Sequence, residues 1–180
     1  MLEDEKKIIR KAREGEANAF GLLYDHYLER IYRFVLLKVS HREEAEDLTH
    51  LAFLKAWERI GEYQDQGFPF GSWLYKIARN TIIDHYRSSN GRKTEITLDY
   101  SLEIIPSEDD HLDKSVDNAI EIQTVMDAIK KLKPIEQDVV IMRFIDEMSN
   151  EEVADAVGKT IGAVKLIQHR ALRKIKQELK

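Results

Sequence analysis

Apolar residues recur every three or four positions along most of the chain, the spacing that places them on one face of an α-helix. The pattern is clear over residues 20–39, again over 45–60 and again over 73–82. No stretch alternates apolar and polar positions in the way a half-buried β-strand does. The N-terminal part of the sequence therefore predicts three successive amphipathic helices.

Capping and turn residues mark the ends of these helices. Ser40 and Glu43 have the S-x-x-E spacing of a capping box, so Ser40 is predicted to open the second helix. Gly61 ends that helix, and a loop rich in Gly, Pro and aromatic residues leads to Ser72, which is predicted to cap the third. The third helix ends at the turn-forming run of residues 87–91.

Helical spacing returns in the C-terminal part of the chain. It covers residues 116–132 and, after a proline, 136–144. A second S-x-x-E box at Ser149 opens a short helix, Gly158 makes a turn, and Thr160 caps a long final helix. The sequence therefore predicts an all-α protein built from two small helical domains.

The charge distribution suggests where these domains separate. The net charge is −5, but residues 1–93 carry 16 basic and 15 acidic side chains and residues 118–180 carry 11 and 10. Residues 94–117 hold one lysine and eight acids, contain Pro106 and lack sustained periodicity. We expect an N-terminal helical bundle (1–93), an acidic flexible linker (94–117) and a C-terminal domain (118–180).

The C-terminal helices predict a DNA-binding motif. A short capped helix, a turn and a longer helix form a helix-turn-helix, whose second helix enters the major groove. Residues 159–176 contain six basic residues and no acid. If Ile161, Val164 and Leu172 face inward, the outward side chains can bind phosphates and base edges; they are Thr160, Lys165, Gln168, His169 and Arg173. A helical hairpin with a solvated basic face is the alternative.

A second cluster, over residues 61–87, mixes aromatic rings with cations. Its rings are Tyr63, Phe68, Phe70, Trp73, Tyr75 and Tyr86, and its polar partners are Lys76, Arg79, Asn80 and Arg87. Single-stranded nucleic acid is held by rings that stack on bases and cations that follow the backbone. Taken alone, the same rings fit the packing of a core better than a nucleic-acid site. The acids of residues 43–47 fit either a helix N-terminus or a docking surface.

Catalytic chemistry has little support in the sequence. Cysteine is absent, which excludes disulfides, thiolate zinc sites and a cysteine nucleophile. His41, His50 and His85 lack the spacing of a metal motif, and no phosphate-cradling glycine loop occurs. We expect no enzymatic activity and no cofactor. With no secretory segment and no apolar run of about 18 residues, we expect a soluble, cytoplasmic protein.

Four segments, in this order, resemble the bacterial sigma factors of the extracytoplasmic-function (ECF) group. They are AFGLLYDHYLERIYRF (19–34), EAEDLTHLAFLKAWERI (44–60), FGSWLYKIARNTIIDHYR (70–87) and MRFIDEMSNEEVADAVGKTIGAVKLIQHRALRKI (142–175). The resemblance covers nearly the whole chain. It implies a subunit that binds core RNA polymerase at its clamp and flap regions, reads the −35 promoter element as duplex, and melts the −10 element.

The resemblance also implies residue roles. The clamp surface would be formed or supported by Glu46, Asp47, Leu48, Phe53 and Trp57. The −10 element would be melted, captured and read by Tyr63, Phe68, Phe70, Ser72, Trp73, Lys76, Arg79, Asn80, Asp84 and Arg87. The −35 element would be read by Thr160, Lys165, Gln168, His169, Arg170 and Arg173. The acidic linker would thread toward the polymerase interior, and an anti-sigma factor is a candidate partner.

Two positions depart from the family pattern. His50-Leu51 stands where the family usually has a Gln-Glu pair, and Leu166-Ile167 stands where it often has Ser-Arg. Two other functions stay open on the residues alone. One is a stand-alone helix-turn-helix regulator whose N-terminal domain senses a ligand or dimerises. The other is an all-helical, metal-dependent enzyme.

Overall fold

The computed structural model describes residues 4–65, 67–89 and 115–179, and every regular element in those ranges is helical. The N-terminal half contains α1 (Glu5–Arg13), α2 (Ala17–Val39), α3 (Arg42–Arg59), a 3₁₀ turn (Ile60–Glu62) and α4 (Phe70–Ser89). The C-terminal half contains α5 (Ser115–Lys130), α6 (Pro134–Val140), a π-helical turn (Ile141–Ile145), α7 (Asn150–Val157) and α8 (Ile161–Glu178). The predicted all-α fold is confirmed.

The predicted acidic linker lies almost entirely outside the described residues. Its last three positions, 115–117, form the first turn of α5.

Helix α2 is central to the N-terminal half, where it packs against α1, α3 and α4. Its buried face follows the spacing seen in the sequence, with Leu23, Ile31, Phe34 and Val35 fully buried. Aromatic pairs tie the helices together: Tyr24 lies 4.6 Å from Phe53 of α3, and Phe34 lies 5.3 Å from Tyr75 of α4, measured between ring centroids. Such tilted and edge-to-face pairs add to the stabilisation from apolar burial.

Helix α1 is an element that the sequence reading missed. Only Ile9 and Ala12 are buried in it, so its apolar stripe is too short to stand out among charged neighbours. Glu5 of α1 accepts a hydrogen bond from the hydroxyl of Tyr27. Tyr27 also explains why residue 71 is a glycine. A Cβ at that position would lie 2.9 Å from Cε1 of the tyrosine ring, which is too close. This contact sets where the loop enters α4.

Helices α6, α7 and α8 pack around an apolar centre in the C-terminal half. The fully buried residues there are Val139, Ile141, Met142, Val153, Val164 and Ala171. Glu136, which is 6% exposed, receives Lys174 Nζ at 2.7 and 2.8 Å and the backbone N–H of Lys133 at 3.0 Å. Burial by itself would raise the pKa of Glu136, but these partners bring the pKa below its ordinary value.

The helix caps divide into confirmed and wrong predictions. The Ser149 box is confirmed, since its hydroxyl accepts from the Glu152 N–H at 3.1 Å and the Glu152 carboxylate accepts from the Ser149 N–H at 2.6 Å. Gly158 turns at φ 66°, and Thr160 accepts from the Ala163 N–H at 3.2 Å. The Ser40 box is wrong: Ser40 ends α2 in the left-handed region, at φ 58°. Ser72 does not cap α4, because that helix already begins at Phe70.

Candidate nucleic-acid interface

The outer face of α8 is basic and open. Lys165, His169, Arg170 and Arg173 are exposed, and none of the four makes an ion pair with another described residue. Val164, Ala171 and Ile175 hold the opposite face against α6 and α7, so these four side chains point outward together. Local sequence sets this arrangement, because the spacing of Val164, Ala171 and Ile175 puts them on one face of a helix that starts at the Thr160 cap. The face suits a phosphate backbone.

Two predicted inward positions of α8 are wrong. Ile161 is 39% exposed and Leu172 is 40% exposed, whereas Val164 is fully buried as predicted. The buried stripe is narrow, because α8 has neighbours on one side only in the described part of the chain. Gln168 is half-buried, and the Thr160 hydroxyl is already used by the helix cap.

A small aromatic cavity lies at the start of α4. Its volume is about 220 Å³, and its walls include Tyr63, Phe68, Trp73 and Lys76. Tyr63 packs edge-to-face on Trp73 at 5.2 Å and on Phe70 at 5.3 Å between ring centroids. An aromatic wall with a lysine at its edge can stack on a base and hold the adjoining phosphate.

Three of the predicted −10 residues are buried in this structure. Tyr63 is 6% exposed, and Phe70 and Ser72 are each 1% exposed. Burial raises the pKa of Tyr63 to about 12, with Asp65, Glu5 and Asp155 adding to the rise. Tyr63 and Phe70 therefore form or support the cavity wall, and the Ser72 side chain is not accessible to DNA in this arrangement. Phe68 and Trp73 remain half-buried.

An outward row on α4 continues from this cavity. Lys76, Asn80, Asp84 and Arg87 are exposed and follow one another at three- and four-residue steps, so they share one side of the helix. The Asp84 carboxylate lies 3.8 Å from Nζ of Lys55 on α3. The structure therefore brings most of the predicted −10 residues onto one continuous strip.

Arg79 points away from this row, toward the C-terminal half. Its Nε lies 2.7 Å from Oδ2 of Asp138 on α6, and Nζ of Lys38 on α2 lies 2.8 Å from Oδ1 of the same carboxylate. Asp138 is 2% exposed. A buried carboxylate of one half is thus neutralised by two cations of the other half.

A second acidic residue makes a similar bridge. Asp146 Oδ1 lies 3.0 Å from Nη2 of Arg33, and the Asp146 backbone oxygen accepts from Arg30 at 2.7 Å. Burial raises the pKa of Asp146, although the hydroxyl of Tyr75 and the Arg33 guanidinium beside it oppose that rise. Burial and the Asp146 carboxylate likewise raise the pKa of Tyr75 well above its ordinary range.

Together these interactions form what we call the closed contact: Arg79 and Lys38 pair with the Asp138 carboxylate, Arg33 pairs with the Asp146 carboxylate, and Arg30 donates to the Asp146 backbone oxygen. It accompanies the packing of α4 against α7, which also brings Asp155 to the rim of the aromatic cavity. Sequence reasoning missed all three aspartates. No local pattern could have found them, because the partners lie 59 and 113 positions apart in the chain.

The predicted clamp residues on α3 divide into surface and core. Asp47 is exposed and Glu46 is half-buried, with its carboxylate 3.0 Å from Nε of Arg42. Leu48 and Phe53 are core residues, exposed by 4% and 3%. The ring of Trp57 lies 5.0 Å from that of Phe20 and is half-buried.

The exposed side of α3 carries residues that were not predicted. Leu51 and Leu54 are exposed by 40% and 53%, and they share a face with Asp47, His50 and Glu58. A signal existed in the sequence, because both leucines fall outside the buried helical stripe of α3. Exposed leucines beside acids are typical of a surface that a protein partner covers.

No group of three histidines or carboxylates in the described residues is placed to hold a metal ion. Within the same ranges, none of the helices combines the length and the apolar character that crossing a bilayer requires.

Two family models match the chain, one in each half. Residues 23–92 match Sigma-70 region 2, and residues 128–177 match Sigma-70, region 4. The first match contains the aromatic cavity and the α4 row, and the second contains α7 and α8. The alternative of a stand-alone regulator has no support from these matches, because region 2 occupies the place of its sensing or dimerising domain.

Known proteins resemble this chain in sequence or in fold over most of its length. The ECF RNA polymerase sigma factor BldN of Streptomyces coelicolor is 41% identical over 93% of this chain, which spans 62% of that relative's length. CnrH, solved in complex with the cytosolic domain of CnrY, has a similar fold, with a TM-score of 0.73 at 20% identity over 98% of this chain and 97% of CnrH.

A second solved structure agrees at the level of the fold. The sigma factor RpoE of Bartonella quintana, in complex with the anti-sigma factor NepR, has a TM-score of 0.68 at 24% identity, over 89% of this chain and 96% of that one. The paired region 2 and region 4 matches, the identity to BldN and the shared fold lead to one conclusion. The chain belongs to the ECF group of the sigma-70 family of RNA polymerase sigma factors.

Proposed function

We propose that this protein is a dissociable promoter-specificity subunit that binds core RNA polymerase and directs transcription initiation at its own promoters. The observation that carries the proposal is that one chain joins an open basic recognition helix, α8, to an aromatic cavity beside a cationic strip on α4. Duplex reading and single-strand capture need these two different surfaces.

We assign −35 reading to α8. Lys165, Arg170 and Arg173 have the charge and exposure to hold phosphates or guanine edges of a duplex. We assign −10 capture to the cavity and its strip. An unstacked base would enter against Phe68 and Trp73, while Lys76 and Arg87 follow the backbone. Contacts to the flipped base offset the cost of unstacking it, which makes melting selective for sequence.

The polymerase clamp would bind the exposed face of α3. Asp47 and Glu58 supply negative charge there, and Leu51 and Leu54 supply apolar area that is uncovered in the described chain. Each DNA surface is small, so affinity for free promoter DNA is weak. Attachment to polymerase makes the second DNA contact intramolecular, which raises the overall affinity without any new contact.

The closed contact gives this function a switch between two arrangements. Arg79 is paired with Asp138 at 2.7 Å in the free chain, so it is unavailable to DNA there. Buried ion pairs have a small net effect on stability, because desolvation of both charges offsets much of their attraction. Such a contact can open when phosphates or a polymerase surface replace the carboxylates. Polymerase binding would thus release Arg79 and clear Asp155 from the cavity rim.

Partners and location follow from this assignment. Core RNA polymerase and promoter DNA are the obligatory partners, and an anti-sigma factor is a third, by analogy with the complex of RpoE and NepR. The protein works in the cytoplasm, where core polymerase acts. It uses no cofactor and catalyses no reaction by itself; the polymerase supplies the chemistry.

Run-off transcription with bacterial core RNA polymerase on fragmented genomic DNA tests the proposal. We expect discrete transcripts that depend on this protein and share spaced −35 and −10 elements. An absence of such transcripts, with core shown to be competent by another sigma factor, would contradict the proposed function. The same experiment supplies the promoter sequences needed below.

A further inference from the structure

Leu166 is an exposed leucine in the middle of the basic face of α8. It is 51% exposed, although the helix has a well-formed buried side at Val164 and Ala171. Its neighbours three and four positions away are Gly162, Ala163, His169 and Arg170, and the residues next to it in sequence are Lys165 and the half-buried Ile167. The exposed side of the leucine is therefore bordered by small, polar and cationic residues, and it lies outside the buried face of the helix.

A protein partner is a poor match for this surface. Apolar docking sites are contiguous patches, and none of the residues three or four positions from Leu166 is a large apolar one. The exposed Ile161 and Leu172 lie five and six positions away, on other sides of the helix. A single leucine among cations instead fits a partner that is strongly anionic and has small, isolated apolar groups.

Duplex DNA is such a partner. The N-terminal part of the second helix of a helix-turn-helix contacts base edges, and Leu166 lies in the second turn of α8. Among the groups that bases present in the major groove, the apolar one is the 5-methyl group of thymine. Gly162, one turn earlier, has open space where a side chain would stand, so the helix can approach the groove closely there.

We infer that Leu166 is a specificity-determining residue that contacts the 5-methyl group of a thymine in the duplex −35 element. The inference rests on the proposed function, and it names the base that this position prefers. Lys165 and Arg170 beside it would hold the flanking phosphates. A serine at the same place could hydrogen-bond to several bases, so the leucine narrows the choice to thymine.

The test uses holoenzyme, made from the full chain and core polymerase, on a promoter found by run-off transcription. Each thymine of the −35 element is replaced in turn by deoxyuridine, which pairs identically but lacks the methyl group. We expect one replacement to weaken promoter binding about threefold to fourfold, the loss expected for one buried methyl group. That sensitivity should disappear in Leu166→Ala and persist in Leu166→Met. Leu172→Ala is the matched control, and it should keep the full response to deoxyuridine.

Several outcomes would overturn the inference. One is indifference of the unmodified protein to deoxyuridine at every thymine of the element. Another is equal sensitivity in Leu166→Ala. A third is weaker binding of Leu166→Ala to core polymerase without DNA, which would mark the leucine as a protein contact. Loss of the proposed function itself looks different, because the unmodified protein would then direct no transcripts.

Discussion

Helices α4 and α8 are both assigned to DNA, yet their arginines have opposite surroundings. Arg79 of α4 is bound to a carboxylate that is 2% exposed and belongs to the other half of the chain. Arg173 of α8 is exposed and makes no ion pair with any described residue. Helix α8 can therefore meet DNA directly, whereas the Arg79 side of α4 must first exchange one anion for another. A residue type and a helical face do not by themselves establish that a surface is available.

Asp138→Asn should have the largest effect, because it removes the carboxylate that Lys38 and Arg79 share. Taking one partner from a buried ion pair costs about 3–5 kcal/mol, and Lys38 would be left as a buried cation. We expect the two halves to separate, which small-angle X-ray scattering would record as a larger radius of gyration. Binding of the free protein to single-stranded −10 DNA should rise about tenfold or more.

Glu136→Gln is the matched control for this variant. Glu136 is also a buried acid of α6, but its partner Lys174 lies in the same half. It should leave the radius of gyration unchanged. An unchanged radius in Asp138→Asn, with the variant folded by circular dichroism, would contradict the closed contact as the element that joins the halves.

Arg173→Ala and Arg79→Ala should impair different steps of initiation, one for each helix. Loss of Arg173 should weaken promoter capture by holoenzyme by about 1–3 kcal/mol and spare transcription from a pre-melted template. Loss of Arg79 should leave duplex capture intact and slow open-complex formation. Filter binding and single-round transcription measure the two steps. If Arg173→Ala left −35 dependence untouched, the assignment of the recognition face would be wrong.

Lowering the pH should change the stability contributions of the buried residues Asp146 and Glu136 in opposite directions. The raised pKa of Asp146 means that the folded state holds its proton more tightly than the unfolded state. Its contribution to stability therefore grows as pH falls from neutral to about 4. The lowered pKa of Glu136 gives a contribution that is present at neutral pH and lost as pH falls through the folded-state value.

Urea unfolding of Asp146→Asn and Glu136→Gln from neutral pH down to about pH 3 measures both contributions, because the loss for Glu136 begins only below its ordinary pKa. On acidification, the unfolding free energy of the unmodified protein should rise relative to that of Asp146→Asn. Relative to that of Glu136→Gln, it should fall. Two slopes of the same sign would show that the surroundings assigned to one of these acids are incorrect.

Ser149→Ala should have the smallest effect, and it bears on both helices because α7 packs against α4 and supports α8. Its capping bond to the Glu152 N–H would be lost, at a cost of about 1 kcal/mol in unfolding free energy. Ser40→Gly is the contrasting substitution at the other predicted capping serine. It relieves a left-handed conformation at φ 58° and should stabilise the protein by up to about 1 kcal/mol. Thermal denaturation compares the two directly.

The sequence by itself determined the features that depend on neighbours along the chain. Apolar spacing placed α2, α3 and α8 because a helix brings residues three and four apart onto one side. The Ser149 box, the Gly158 turn and the Thr160 cap were predictable since each needs only three or four adjacent residues.

Tertiary structure decided what depends on distant partners. Spacing gives the direction of a buried stripe but not its width, so Ile161 and Leu172 were placed inward although α8 leaves them exposed. Ser40 matched a capping pattern, but the chain reversal between α2 and α3 took it into the left-handed region. The pairing of Arg79 with Asp138 exists only because packing brings together residues 59 positions apart and removes the carboxylate from water.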